Sequence, residues 1–145
     1  MKSKTIPWFL ACFLMVGPLA AAEPLRTKKH ALALTDAVVS EVAAGELERG
    51  LRLMAPYAIV PESEFEVAIE QARIQFPSLL ARVGNPIGHE FICEKEAGQS
   101  FYKVIQVVKY EKHMVRFRFV FYKPKDYWVL NTYYFDDRIE ALFCE

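Results

Sequence analysis

The chain has 145 residues, of which 53% are hydrophobic and 25% charged, and its 18 basic and 18 acidic side chains give a formal net charge of zero. That length suits one domain with a substantial hydrophobic core. A chain with this balance lacks the strong excess of basic residues that is typical of proteins that bind a nucleic-acid phosphate backbone.

The N-terminus has the pattern of a cleavable secretory signal peptide. Two lysines precede an apolar run over residues 6–16, which ends at Gly17-Pro18 and is followed by Ala20-Ala21-Ala22. The run is too short to span a bilayer. We therefore predict a signal peptide over residues 1–22, a secreted or periplasmic location, and no membrane span after processing. The mature chain, residues 23–145, is then a single domain with a net charge of −2.

Helical periodicity marks the start of the mature chain. Thr27 is a candidate N-cap for a first amphipathic helix that ends near Gly45. A second, shorter helix is predicted over residues 46–54, because Pro56 disfavours helical geometry in the residue before it.

A third helix begins with a capping-box pattern. In this pattern the Ser63 hydroxyl and the Glu66 carboxylate satisfy opposite backbone N–H groups. Pro77 falls inside the apolar stripe of the helix and predicts a kink or a split. Gly84 suits the position that ends the helix.

After Gly88 the apolar residues recur at every second position, a pattern that predicts strands. They are placed at residues 89–95, 100–111, 114–122 and 126–136, with a short final segment over 139–143. Tight links between them favour an antiparallel meander. The predicted fold is therefore α+β, with N-terminal helices packed on a curved antiparallel sheet of four to five strands.

The last hairpin can be placed in register from its own side chains. If Tyr122 lies opposite Tyr127, then Phe121 pairs with Trp128, and one face of the hairpin is almost wholly apolar. We expect that face to cover the helices. The other face is predicted to carry Arg116, Arg118, Asn131 and Tyr133, beside Phe135.

Two local motifs resemble the nuclear transport factor 2-like superfamily. They are VAAGELE at residues 42–48, between the first two helices, and VFYKPKDYWVL at residues 120–130, over the last hairpin. The chain is most similar to small exported members whose function is uncharacterised. The resemblance implies a cone-like fold, as in nuclear transport factor 2 and cystatin, and frequent dimerisation. Enzymatic members usually carry an additional early hairpin, which the sequence does not predict between its second and third helices.

Recognisable catalytic chemistry is absent from the sequence. Of the three histidines, His30 and His113 are most simply solvated. His89 shares a strand face with Cys93, but about 13 Å along an extended strand separates the two, too far for a nucleophile and its base. No pair of cysteines has the close spacing of a zinc or redox motif. The phosphate-binding glycine loop and the common hydrolase motifs are missing as well. No catalytic residue, metal or other cofactor is therefore predicted.

Two function hypotheses follow. The favoured one is a non-enzymatic binding or assembly module that uses a cone pocket or the outer sheet face. Its partner would be a second copy of the chain, another exported protein or a small apolar ligand. A nucleic acid is not expected as a partner. The predicted contact residues are Arg116, Arg118, Asn131 and Tyr133.

The alternative is a small isomerase, dehydratase or hydrolase that acts on an apolar ligand inside the cone. Its hydrogen-bond donors would be Tyr102, Tyr110 or Tyr134. A buried ionisable group in a well-formed pocket would favour the enzyme. An interior filled by Phe and Trp would favour the module.

Two cysteines remain after processing, Cys93 and Cys144, and an oxidising compartment would permit them to pair. In a simple meander, three strand spacings of about 4.8 Å separate them by about 14 Å, twice the α-carbon distance that a disulfide spans. We therefore expect no bridge within one chain, unless the segment after Asp137 folds back across the sheet.

Overall fold

A computed structural model describes residues 22–144, which form three α-helices packed against a four-stranded antiparallel sheet that is not closed. The helices are α1 (Lys28–Ala43), α2 (Leu47–Arg52) and α3 (Glu62–Val83), with 3-10 turns at Ala55–Tyr57 and Ile139–Leu142. The strands are β1 (Pro86–Ala97), β2 (Phe101–Tyr110), β3 (Met114–Tyr122) and β4 (Val129–Asp136). Apart from Ala22, the predicted signal peptide lies outside the described residues.

The first helix begins and ends where the sequence predicts. The Thr27 hydroxyl accepts a hydrogen bond from the His30 N–H at 3.2 Å, which satisfies one of the free donors of the first turn. At the other end, Gly45 has φ of +88°, a backbone conformation that residues with a Cβ atom disfavour. Both predicted boundaries of α1 are confirmed.

A glycine allows α2 to approach α1 closely. Gly50 is buried, and a Cβ atom at this position would lie 2.8 Å from the carbonyl oxygen of Val38 and 3.1 Å from a methyl group of Val42. Such contacts are shorter than van der Waals packing allows. The two helices therefore depend on a residue without a side chain where they meet.

The predicted capping box at the start of α3 is wrong. The helix begins at Glu62 with Pro61 as its N-cap, and no side chain bonds to the free N–H groups there. The Glu66 carboxylate forms an ion pair with Arg52 of α2 instead. Ser63 therefore lies inside the first turn, and Glu66 links two helices.

The end of α3 is confirmed at Gly84. The helix runs as one element through Pro77, so the predicted split does not occur. Gly84 has φ of +86°, and a Cβ atom there would lie 2.6 Å from the Glu111 carboxylate. That carboxylate accepts the N–H of Asn85 at 3.0 Å. Glycine is required here by both its conformation and its surroundings.

The four strands follow one another in the order β1-β2-β3-β4, with every neighbouring pair antiparallel. The predicted meander is therefore confirmed, and β1 and β4 are its two edges. The last predicted segment forms the 3-10 turn Ile139–Leu142 and not a fifth strand.

The register of the last hairpin differs from the prediction. Tyr122 lies opposite Val129, because the turn is longer than expected, and Phe121 lies opposite Leu130. A bulge follows at Asn131, so that Val120 pairs with Thr132. An extra residue in one strand exchanges the faces of every side chain after it. The second half of β4 therefore presents the opposite face to that predicted.

The hydrophobic core lies between the helices and one face of the sheet. Phe117, Phe119 and Phe121 of β3 are fully buried there. Tyr102 and Trp128 lie beside them with ring centroids 5.8 Å apart. Each buried phenylalanine contributes roughly 1.5–3 kcal/mol of transfer free energy. The prediction that this face covers the helices is confirmed for β3 and the start of β4.

The C-terminal segment, residues 137–144, returns across the opposite face of the sheet, which we call the outer face. Ala141 accepts a hydrogen bond from Arg116 of β3 at 2.7 Å. Cys144 forms a disulfide with Cys93 of β1, with α-carbons 6.6 Å apart. The expectation of unjoined cysteines is wrong, because Cys144 lies beyond β4 on the segment that folds back.

Candidate binding site

The four residues predicted to contact a partner do not form one surface. Arg116 and Arg118 lie on the outer face, opposite Asp136 and Tyr134 of β4. Tyr133 lies on the helix-facing side, with its ring centroid 5.7 Å from that of Phe65. The bulge at Asn131 causes this division, because it exchanges the faces of the residues after it.

Arg116 is part of the folded framework. Its side chain is 4% exposed, and two of its nitrogens donate to the Asp136 carboxylate at 2.6 and 3.1 Å. Burial alone would raise the pKa of Asp136, but hydrogen bonds from Arg116 and from the Arg138 N–H outweigh it and hold that pKa below its usual value. A third nitrogen of Arg116 binds the C-terminal segment, so its donors are used within the chain.

Arg118 has fewer internal partners. Its guanidinium carbon lies 4.9 Å from the centre of the Tyr134 ring, within the range of a cation–π contact. Its Nε atom is buried and has no hydrogen-bond partner among the described residues. Arg118 therefore remains a candidate contact residue on the outer face.

A groove runs between α3 and β4, and we call it the α3–β4 groove. Three cavities of about 210, 300 and 340 Å³ follow one another along it. The first two share Ala68 and Tyr133, and the second and third share Gln75 and Phe135. Asn131, one of the predicted contact residues, lines the first cavity. Asn131 and Tyr133 are therefore brought together at this groove and not on the outer face.

Aromatic residues form the floor of the groove. Tyr133 packs against Phe65, and Phe135 lies with its ring centroid 6.1 Å from that of Phe76. Burial raises the pKa of the Tyr133 hydroxyl, so it stays a neutral hydrogen-bond donor at physiological pH.

The wall on α3 consists of small and amide side chains. Ala68 is half-buried, and Gln71 and Gln75 are exposed above the floor. Sequence reasoning missed this wall. The spacing of the three residues by three and four positions could have indicated one face of a helix. That face lacks the large apolar side chains that mark a core stripe, so its sequence pattern alone does not indicate a site.

The backbone edge of β4 is open beside the groove. At its start the edge is paired, since Trp128 donates to the Leu25 carbonyl at 2.7 Å and Ile59 donates to the Leu130 carbonyl at 3.1 Å. Over residues 131–136, the described part of the chain supplies no backbone hydrogen bond from outside the sheet. An unpaired strand edge offers a template for another extended chain.

The three tyrosines of the enzymatic alternative are dispersed. The Tyr102 hydroxyl donates to the Glu94 carboxylate. The pKa of Tyr102 is raised, mainly by burial and secondly by this hydrogen bond. Burial raises the pKa of Tyr110 to about 12. Tyr134 lies under Arg118 on the outer face. The structure does not bring the three hydroxyl groups to one pocket.

The buried polar pair of the core is neutral. Gln106 donates from its amide nitrogen to the Thr35 hydroxyl at 2.8 Å, and both residues are fully buried.

Within residues 22–144 no cluster of three or more potential metal-ligating side chains occurs. Over the same range, no helix combines the length and hydropathy needed to cross a membrane.

Comparison of the chain with protein-family models, with curated proteins and with solved structures finds no match. The resemblance to the nuclear transport factor 2-like superfamily therefore stays a prediction from the two local motifs.

Proposed function

We propose that the protein is an exported, non-enzymatic binding module that holds an extended polypeptide in the α3–β4 groove. The observation that carries the proposal is the open backbone edge of β4 over residues 131–136, next to a groove with an aromatic floor. Export rests on the predicted signal peptide.

The edge of β4 already pairs with extended segments of its own chain. Leu25 forms an antiparallel bridge with Trp128, and Ala58 forms a parallel bridge with Leu130. Both bridges end where the groove begins. A polypeptide that continues this pairing along residues 131–136 would gain main-chain hydrogen bonds of the same kind.

The side chains of the groove suit an extended peptide. Successive side chains of a strand point to opposite faces, so alternate residues of the ligand would lie over Tyr133 and Phe135. Gln71 and Gln75 offer amide groups that can donate to and accept from peptide groups. The long open shape favours a polymer over a small apolar ligand, which proteins usually enclose.

The filling of the core supports a binding module over an enzyme. Phe117, Phe119 and Phe121 occupy the space under the helices without exposure. The polar pair in that space, Thr35 and Gln106, bears no titratable group. The tyrosines buried at this depth, Tyr102 and Tyr110, have pKa values that burial raises further above neutrality. A general acid or base works best with a pKa near the operating pH, so these tyrosines do not suit that role.

The proposal is tested by panning a phage-displayed library of random peptides of about twelve residues against the mature protein. We expect enriched peptides with alternating apolar residues. Ala68→Arg places a long side chain in the groove and should weaken their binding by about tenfold or more. Val67→Arg is the matched control, because Val67 is 58% exposed on the same helix and does not line the groove. Its binding should equal that of the unmodified protein.

Failure to enrich any peptide, or equal loss of binding in both arginine variants, would overturn the groove as the binding site. A second copy could also occupy the β4 edge, and sedimentation of the mature protein at micromolar concentration detects it. A dimer that Ala68→Arg dissociates would replace the peptide with a second copy as the occupant.

A further inference from the structure

The outer face carries a cluster of positive charges that the proposed groove does not use. Lys95 of β1 and Lys103 of β2 lie directly opposite each other in the sheet. Arg118 is on the next strand, opposite Ile105, which places it diagonal to Lys103. We call these three residues the outer-face cation cluster. Like charges directly opposite each other destabilise a sheet, so their arrangement has an energetic cost.

No acidic side chain of the described chain neutralises this cluster. Lys95, Lys103 and Arg118 form no ion pair within residues 22–144, although most arginines there do. The two acids that flank Lys95 in β1 are engaged elsewhere. Glu96 is paired with Lys28, and Glu94 accepts the Tyr102 hydroxyl.

Aromatic and apolar surface adjoins the cluster. The rings of Phe101 and Tyr122 stack with centroids 5.4 Å apart, and the two residues are 50% and 37% exposed. A cavity of about 290 Å³ lies beside them, lined by both lysines of the cluster, by Glu96, which is paired with Lys28, and by Ala97, Phe101, Tyr102 and Val120. The surface therefore combines cations that have no ion-pair partner among residues 22–144 with an exposed stacked pair, and aromatic residues of this kind are enriched in protein interfaces.

We infer that the outer-face cation cluster docks an acidic segment of a partner protein, one that also presents an aromatic or apolar residue to Phe101 and Tyr122. Charge complementarity selects the occupant. Carboxylates over Lys95 and Lys103 would relieve the repulsion between them, and the stacked rings would cover the apolar residue. The mature chain is itself slightly acidic, which disfavours a nucleic acid as the occupant.

The test uses the mature protein and a fluorescein-labelled Glu-Glu-Phe-Glu-Glu peptide, followed by fluorescence anisotropy. We expect saturable binding at about 50 mM salt that weakens strongly by about 300 mM, as screening of an ion pair requires. Lys103→Glu should reduce the affinity by about tenfold or more. Lys112→Glu is the matched control, since it changes the net charge of the protein by the same amount at a position outside the cluster. This variant should bind the peptide as the unmodified protein does.

Absence of binding, or equal affinity of the Lys103→Glu and Lys112→Glu variants, would overturn the inference. A fluorescein-labelled oligothymidylate of equal charge that binds more tightly than the peptide would also overturn it, in favour of single-stranded nucleic acid. Circular dichroism of each variant verifies that the fold is retained. These results are independent of the groove, because neither lysine lines it.

Discussion

Cys93 on the first strand of the sheet and Cys144 near the end of the chain are joined by a disulfide, although the strands nearest to each in sequence lie at opposite edges of the sheet. The bridge fixes the C-terminal segment across the outer face. Arg116 holds the middle of the same segment through the Ala141 carbonyl. The segment is therefore attached at three places: its connection to β4, Arg116 and the disulfide.

Cys144→Ser is expected to lower the free energy of unfolding by about 4 kcal/mol, because the bridge closes a loop with a sequence separation of 51 residues. Urea unfolding of the mature protein measures the change. Thiol counting on the denatured, unreduced protein should find no free thiol. Two free thiols per chain would contradict the bridge.

Asp136→Asn is expected to destabilise the protein by about 3 kcal/mol at pH 7, because it leaves the buried Arg116 guanidinium without a counter-charge. The folded-state pKa of Asp136 is depressed, so its contribution is complete above the unfolded pKa of about 3.9 and is lost as the pH falls through that value towards the folded pKa. The difference between variant and unmodified protein should therefore shrink below about pH 4 in urea unfolding.

Asp137→Asn is the control for that experiment. Asp137 pairs with Arg82 at 3.1 Å on the surface, where the arginine side chain is 67% exposed. Its removal should change stability by less than about 1 kcal/mol. Equal effects of the two substitutions would show that Arg116 is not held by Asp136.

Gly50→Ala is expected to destabilise the protein by about 2 kcal/mol, because the added methyl group would overlap the Val38 carbonyl oxygen and separate α1 from α2. Thermal unfolding followed by circular dichroism measures it. A melting temperature at or above that of the unmodified protein would contradict the close approach of these helices, since alanine is otherwise the better helix former.

Trp128→Ala is expected to cost about 3–5 kcal/mol, as deletion of a large buried aromatic does. Trp128 is 5% exposed and packs against Tyr102. Tyr127→Ala, at the neighbouring position in the turn, should cost much less because Tyr127 is only half-buried. An unchanged urea midpoint for Trp128→Ala would show that the helix-facing side of β4 is wrongly assigned.

The sequence predicted the type and order of the main elements because each is consistent with its own local pattern. Thr27 and Gly45 mark α1 by chemistry that acts within a few residues. The alternation in β3 places Phe117, Phe119 and Phe121 on one face without knowledge of the partner strands. Such signals need no tertiary information.

The site was only partly predictable, and one residue accounts for most of the error. The predicted turn was two residues too short, which preserves the face of each side chain as far as Leu130. The bulge at Asn131 adds one more residue and reverses the faces after it, so Tyr133 was placed on the wrong side. A bulge adds a single residue to one strand, and local alternation does not reveal where it falls. The position of Cys144 across the sheet likewise depends on tertiary contacts, which the local sequence pattern does not encode.

The most direct measurement of the proposed function is amide hydrogen exchange of the mature protein with and without a peptide selected by the panning experiment. Pairing with the open edge of β4 should slow exchange at backbone amides within residues 131–136, with smaller changes in α3 at Ala68, Gln71 and Gln75. The Ala68→Arg variant should show no such protection. Protection confined to the outer face, or no protection along β4 in the presence of saturating peptide, would contradict strand addition at the α3–β4 groove.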